Sequence, residues 1–157
     1  MLIAGDIGGT HTRLALAASG EGAPHILFSR HYASREYADM ETVLAAFLAD
    51  AQSQGCATAE LHAACFGVAG AVVDNCAQIT YLPWRVDGDA IAARFAIDRV
   101  HIVNDFWAAA SGIPTLDASE LFTLQDAPPQ PAIAPLITLP VTRLVIGAGT
   151  GLGGAIV

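Results

Sequence analysis

The chain has 157 residues, 54% of them hydrophobic and 14% charged, enough to bury a core without disulfide or metal staples and too apolar for disorder. Asp and Glu number 15 against seven basic residues, a formal charge of -8, which is the wrong sign for a phosphate-backbone or anionic-membrane binder and excludes nucleic acid and membrane as expected partners. All seven basic residues are arginine, so a GxxxxGK[ST] loop, a lysine Schiff base and a serine-lysine dyad are excluded within these residues as well.

In chain order, Leu2-Ile3-Ala4, the glycine-rich Gly5-Asp6-Ile7-Gly8-Gly9-Thr10 and Arg13-Leu14-Ala15-Leu16-Ala17 read as strand, tight loop and strand. Ile26 to Phe28 with His31-Tyr32 supplies a third strand of the same antiparallel unit. Met40, Val43, Leu44, Phe47, Leu48 and Ala51 recur at spacings of three and four, which predicts a helix from Met40 to Ala51 with Gly55 as a stop signal. Leu61 to Ala71 reads as a mostly buried strand entering a small-residue loop. Ile79 to Val86 reads as extended, because Pro83 biases Leu82 away from helix, and a helix follows from about Asp87 to Phe95.

Val100 to Val103 is a short strand ending at Asn104-Asp105, and Phe106 to Ser111 resumes as helix. Residues 126–140 hold Pro128, Pro129, Pro131, Pro135 and Pro140 and read as a linker or long loop. Beyond it, Arg143 to Ile146, Gly147-Ala148-Gly149-Thr150-Gly151-Leu152-Gly153-Gly154 and Ala155 to Val157 repeat the opening pattern of strand, Gly/Thr turn and strand. Two related halves, the second cut off, would give this arrangement.

The chemistry rests on these turns. Glycines at Gly5, Gly8 and Gly9 let backbone amides approach a phosphate, Thr10 and Thr12 add hydroxyls, and Asp6 makes sense in such a loop if it holds hydrated Mg2+; an ordinary Gly-rich hairpin is the equal alternative. Gly149-x-Gly151-x-x-Gly154 matches GxGxxG formally, but strand-forming Ala155-Ile156-Val157 follows it where a dinucleotide fold needs a helix. A second phosphate hairpin facing the first explains those glycines better. Asp105 has two readings: the cap of the following helix, or a base that accepts a proton from a substrate hydroxyl positioned by Asn104.

Other candidates carry less. His62, three from Cys65, reads as a buried structural histidine, and Trp84 and Trp107 as packing residues, with Trp84 able to shape a sugar pocket. Cys56, Cys65 and Cys76 form no CxxC pair, which argues against zinc and for a reducing compartment. With no basic n-region or long apolar run at Met1 to Asp6, the expected location is cytoplasmic.

Together, Gly5-Asp6-Ile7-Gly8-Gly9-Thr10-His11-Thr12-Arg13, Leu82-Pro83-Trp84, Asn104-Asp105-Phe106 and Gly147-Ala148-Gly149-Thr150-Gly151-Leu152-Gly153 resemble the bacterial glucokinase family, in the superfamily of hexokinases and actin-like ATPases. The resemblance runs from Leu2 to Val157 and departs at His11 and Tyr81, where many relatives have asparagine. It implies an α/β, ribonuclease-H-like small domain with a mixed five-stranded sheet and flanking helices over residues 1–125. A loop at 126–140 and the first hairpin of a truncated second domain at 141–157 would follow.

The implied reaction is phosphoryl transfer from ATP, with Mg2+, to glucose or a similar hexose. Asp105 would be the catalytic base and Asn104 a sugar contact. Gly5, Asp6, Ile7, Gly8, Gly9, Thr10, Thr150 and Gly151 would bind the nucleotide, Asp6 reaching the metal through water. Two rivals remain at this point, a kinase for another hexose and a non-catalytic sugar-binding or interaction module. The resemblance also implies a homodimer for a full-length enzyme; separately, an unpaired final strand ending at Val157 is an association liability, so oligomers are expected of this chain alone.

Overall fold

The computed structural model describes residues 1–18, 20, 24–58, 60–125, 142, 144–148 and 152–157. Strands β1 (Leu2–Ile7), β2 (His11–Ala18), β3 (His25–Ala33), β4 (Ala63–Val68) and β8 (Arg99–Asn104) form one mixed sheet in the order β3-β2-β1-β4-β8. Leu2 pairs with Ala17 and Ile7 with Thr12 across the antiparallel β1-β2 hairpin, while β4 and β8 run parallel to β1. This is the expected mixed five-stranded sheet. The strand extends through Asp6, so the turn itself is Gly8-Gly9-Thr10.

Alternation along the strands sends Ile3, Ile7, Leu14, Leu16, Phe66 and Val68 to one face, where they bury against Met40, Val43, Leu44, Phe47 and Ala51 of α1 (Met40–Ser53). The helix starts where Asp39 takes the backbone N–H of Thr42, and it ends just before Gly55, whose φ of +79° suits glycine. Tyr32 ties β3 to this helix by donating its hydroxyl to Asp50 at 2.7 Å, and Arg30 pairs with the same carboxylate at 3.1 Å. Burial and that hydrogen bond push the Tyr32 hydroxyl above the usual tyrosine range.

A small antiparallel unit, β5 (Val72–Val73), β6 (Cys76–Gln78) and β7 (Arg85–Asp87), follows β4. Asp74 and Asn75, with φ of 48° and 58°, make its first turn, the mirror-image geometry that two-residue hairpins favour. Asn75 also reaches outward: its side chain donates to the carbonyl of Val100 (3.0 Å) and accepts the N–H of Ile102 (2.8 Å) on β8, the edge strand. Its backbone carbonyl takes the N–H of Gly88, the first residue of α2 (Gly88–Phe95), whose N-cap is Asp87.

Three expectations need correction. Residues 79–86 are not simply extended: the N–H of Ile79 bonds the carbonyl of Trp84 across a turn in which Tyr81 is left-handed (φ 70°). Proline restricted Leu82, and the residue before it absorbed the bend. Trp107 is not a packing residue, being about half exposed, whereas Trp84 is buried and donates its ring N–H to the carbonyl of Tyr37. His62 lies exposed just before β4 and faces Asp98 at 3.3 Å rather than sitting in the core.

The other face of the sheet carries α3 (Asp105–Gly112), which follows β8 directly. Gly67 makes room for it: a Cβ there would lie 3.2 Å from the Cβ of Ala108 and 3.5 Å from the Cα of Asp105. Strands β9 (Leu144–Ala148) and β10 (Leu152–Ile156) form a separate antiparallel hairpin that rests on α3. The ring of Phe106 lies over Gly147 and Gly153, where any side chain would collide with it. The proline-rich stretch 126–140 lies outside the described residues, as do Thr150 and Gly151.

Candidate active site

A cleft of about 750 Å³ opens where the β1-β2 turn, the start of α3 and the β9-β10 hairpin converge. Gly8, Gly9, Thr10 and His11 form one wall, Asn104, Asp105 and Phe106 another, and Gly153 and Gly154 a third. Ala69, Gly70, Thr80, Tyr81 and Arg35 complete it. Segments as far as 146 residues apart in sequence, Gly8 and Gly154, thus face one space.

The turn is held from behind. Ser34, wholly buried, donates its hydroxyl to the carbonyl of Gly8 (2.8 Å) and its N–H to that of Thr10 (3.0 Å), and lies 3.0 Å from the equally buried Thr12 hydroxyl. The N–H of Gly8 returns to the carbonyl of His11. Among the described residues the N–H groups of Gly9 and Thr10 have no protein acceptor. Successive amides in a glycine-rich turn, with carbonyls tied back, form a concavity suited to an anion. At Gly9 a Cβ would come within 2.9 Å of the Thr80 carbonyl, so the turn also packs on the loop carrying Tyr81.

Opposite, Asn104 rather than Asp105 is the N-cap of α3. Its Oδ1 accepts the N–H groups of Phe106 (3.0 Å) and Trp107 (3.2 Å). Its amide nitrogen donates to the carbonyl of Gly70 (3.2 Å) and to Oδ1 of Asp105 (2.9 Å). Both ends of the amide are therefore occupied in holding the helix start. Asp105 is the first helical residue; its Oδ1 also accepts the N–H of Phe106, while its Oδ2 has no hydrogen-bond partner among the described residues. One oxygen is anchored and the other is open, the arrangement a general base needs.

The remaining named residues fall elsewhere. Ile7 is wholly buried in the core, and a Cβ on Gly5 would lie 2.6 Å from the Phe66 ring and 2.7 Å from Leu14, which gives that glycine a packing reason. Neither they nor Asp6 line the cleft. Asp6 is exposed, paired across the sheet with Arg13 and Gly67, and so shares the α3 face of the sheet. Among the described residues no three His, Cys, Asp or Glu side chains gather as a metal cage, and no helix is long and apolar enough to cross a membrane.

Arg35 had no mark in the sequence. It enters the cleft because the β2-β3 register sets Ala33 opposite His11, which lands the next two residues beside the turn. Strand register was the only signal that would have found it.

A family model for glucokinase matches residues 3–157. The glucokinase of Synechocystis sp. is 38% identical over 156 residues, covering 96% of this chain and 42% of that protein. The chain thus spans less than half the length of the curated relatives it matches. Among solved structures, glucokinase from an Antarctic psychrotroph superposes with a TM-score of 0.76 at 22% identity, covering 99% of this chain and 45% of that one. Glucokinase from Balamuthia mandrillaris, solved in complex with glucose, gives 0.66 at 25% identity, covering 99% and 43%.

Proposed function

Because the chain belongs to the glucokinase family, we propose that it supplies the phosphate-binding turns and the catalytic carboxylate of an ATP-dependent hexose kinase with glucose as acceptor. In this reading residues 1–125 are the small domain, 126–140 the connection and 141–157 the opening of a larger domain that completes the sugar site. The compartment is the cytoplasm, where ATP is made.

The observation that carries the reading is the open Oδ2 of Asp105 across one cleft from the Gly8-Gly9-Thr10 turn. Asp105 accepts the proton of the sugar's 6-hydroxyl as that oxygen attacks the γ-phosphorus; the bond to the β-phosphate oxygen breaks and ADP leaves. The amides of Gly9 and Thr10, with Thr150 and Gly151 of the second turn, hold the phosphates. Positioning and electrostatics do most of the work, as the loose transition state of phosphoryl transfer requires. Asn104 acts by fixing Asp105 and offers its amide to the sugar only by exchanging one of the bonds it now makes.

Mg2+ bound with the triphosphate would offset its negative charge. Asp6 stands outside the cleft lining but exposed on the α3 face of the sheet, two residues before Gly8, so it would reach the ion through water, which suits Mg2+ because it keeps most of its water and takes one or two carboxylates rather than a protein cage.

Tyr81 in the cleft wall favours a second reading, a preference for another hexose. In a protein of full family length, Asp105→Asn is expected to lower kcat by about 10²–10⁴-fold while the KM for the sugar stays within a few-fold. An unchanged kcat overturns the assignment. Comparing hexoses as acceptors of the parent enzyme decides between the two sugars' readings.

A further inference from the structure

The cleft must hold a polyanion inside a chain of net charge -8, next to the carboxylate of Asp105 and without any lysine. Amide dipoles alone leave that arrangement short of positive charge. Of the arginines, Arg30 pairs with Asp50, Arg85 pairs with Asp87, and Arg94 lies 5.6 Å from the Phe95 ring centre. Arg13 stands opposite Asp6 in the β1-β2 pairing, and Arg99 lines a different, shallow cavity beside Asp98. Arg143 lies outside the described residues; among those described, Arg35 is the arginine lining the cleft, and it makes no ion pair.

Its backbone is placed with unusual care. The preceding residue, Ser34, is wholly buried and makes two hydrogen bonds to the turn, to the carbonyls of Gly8 and Thr10, and a third contact to the Thr12 hydroxyl on β2. A buried serine is kept only when its hydroxyl is satisfied, and here the partners that satisfy it are those of the anion-binding turn. Any shift of the turn therefore carries Arg35 with it. The guanidinium can meet a phosphoryl group bidentately, a geometry that suits phosphate and adds strength beyond a point charge.

We propose that Arg35 grips a phosphoryl group in the cleft, completing with the Gly9 and Thr10 amides a site for phosphate oxyanions. The proposal rests on the kinase reading for its ligands, the terminal phosphate of ATP before transfer or the phosphate of the sugar product after it. The chemistry is shared, and binding to each ligand separates the two sources.

The test is calorimetric titration of MgATP, glucose 6-phosphate and glucose into the protein of full family length, as parent, Arg35→Met and Arg35→Lys. Arg35→Met is expected to weaken at least one phosphate ligand by about tenfold or more, with glucose within twofold. Arg35→Lys should recover part of the loss, as charge returns without the fork. Both phosphate ligands staying within twofold of the parent would overturn the proposal, and so would an equal loss of glucose binding or a parent that binds neither anion. A parent that binds these anions yet transfers phosphate to no hexose would sink the kinase reading alone, leaving Arg35 to be judged by the titration.

Discussion

Asn104 and Asp105 show how two polar neighbours at a helix start divide their work. Either could cap α3 by its chemistry, and the sequence left the cap with Asp105. Asn104 accepts the N–H groups of Phe106 and Trp107, which leaves one oxygen of the Asp105 carboxylate open to the cleft; backbone geometry one residue earlier decides this, and composition carries no trace of it. Asp39 is the simpler case: it stands directly before Met40, the first apolar residue of a regular repeat, and caps α1 by accepting the Thr42 N–H. The Thr42 hydroxyl, then the Thr42 N–H, hold its carboxyl below the ordinary aspartate range. A lowered folded value contributes stability above the unfolded value, near pH 4, and that contribution is lost as pH falls through the folded one. Asp39→Ala should cost about 1 kcal/mol and lower Tm by about 3 °C at neutral pH. The gap to the parent should close as denaturation curves are taken below about pH 4; a gap that widens in acid would contradict the cap.

Elements with a repeating pattern were readable, and elements fixed by another segment were not. Helix α1 and strands β1 and β2 announce themselves by spacing. The left-handed bend at Tyr81 does not, because the Gly9 turn packs against it from 72 residues away. The β9-β10 hairpin was visible as a strand pair, but what it rests on was hidden until α3 presented Phe106 to Gly147 and Gly153. That ring is the link between hairpin and helix. Phe106→Ala should therefore raise hydrogen-exchange rates in Leu144–Ala148 and Leu152–Ile156 well before it alters those of the five-stranded sheet. Equal protection in the two proteins would show that the hairpin is held by something else. Gly153→Ala is expected to act in the same direction, by collision instead of loss.

At the scale of the whole molecule, the cleft depends on distant segments arriving together, which is why the members carried by motifs were legible and the one brought in by register was not. Gly8, Gly9, Thr10, Asn104 and Asp105 were named from motifs and share the cleft, whereas Arg35 arrives by strand register. Leu144, Ile146 and Ile156 of the hairpin stand about two-thirds exposed, with Phe122 and Leu124 more so. Apolar side chains clustered on a two-stranded ribbon favour association. The 157-residue chain is expected to run larger than a monomer in light scattering, more so as concentration rises. A concentration-independent monomer would count against this.

Where such contacts form is constrained by the amide of Asn75. Its C=O and N–H₂ meet Ile102 and Val100 as a neighbouring peptide group would, so β8 carries a counterfeit strand one residue long. An incoming ribbon from another molecule finds two groups of that rim, the Val100 carbonyl and the Ile102 N–H, already taken, which favours self-templating growth of the large sheet at its opposite margin, along β3.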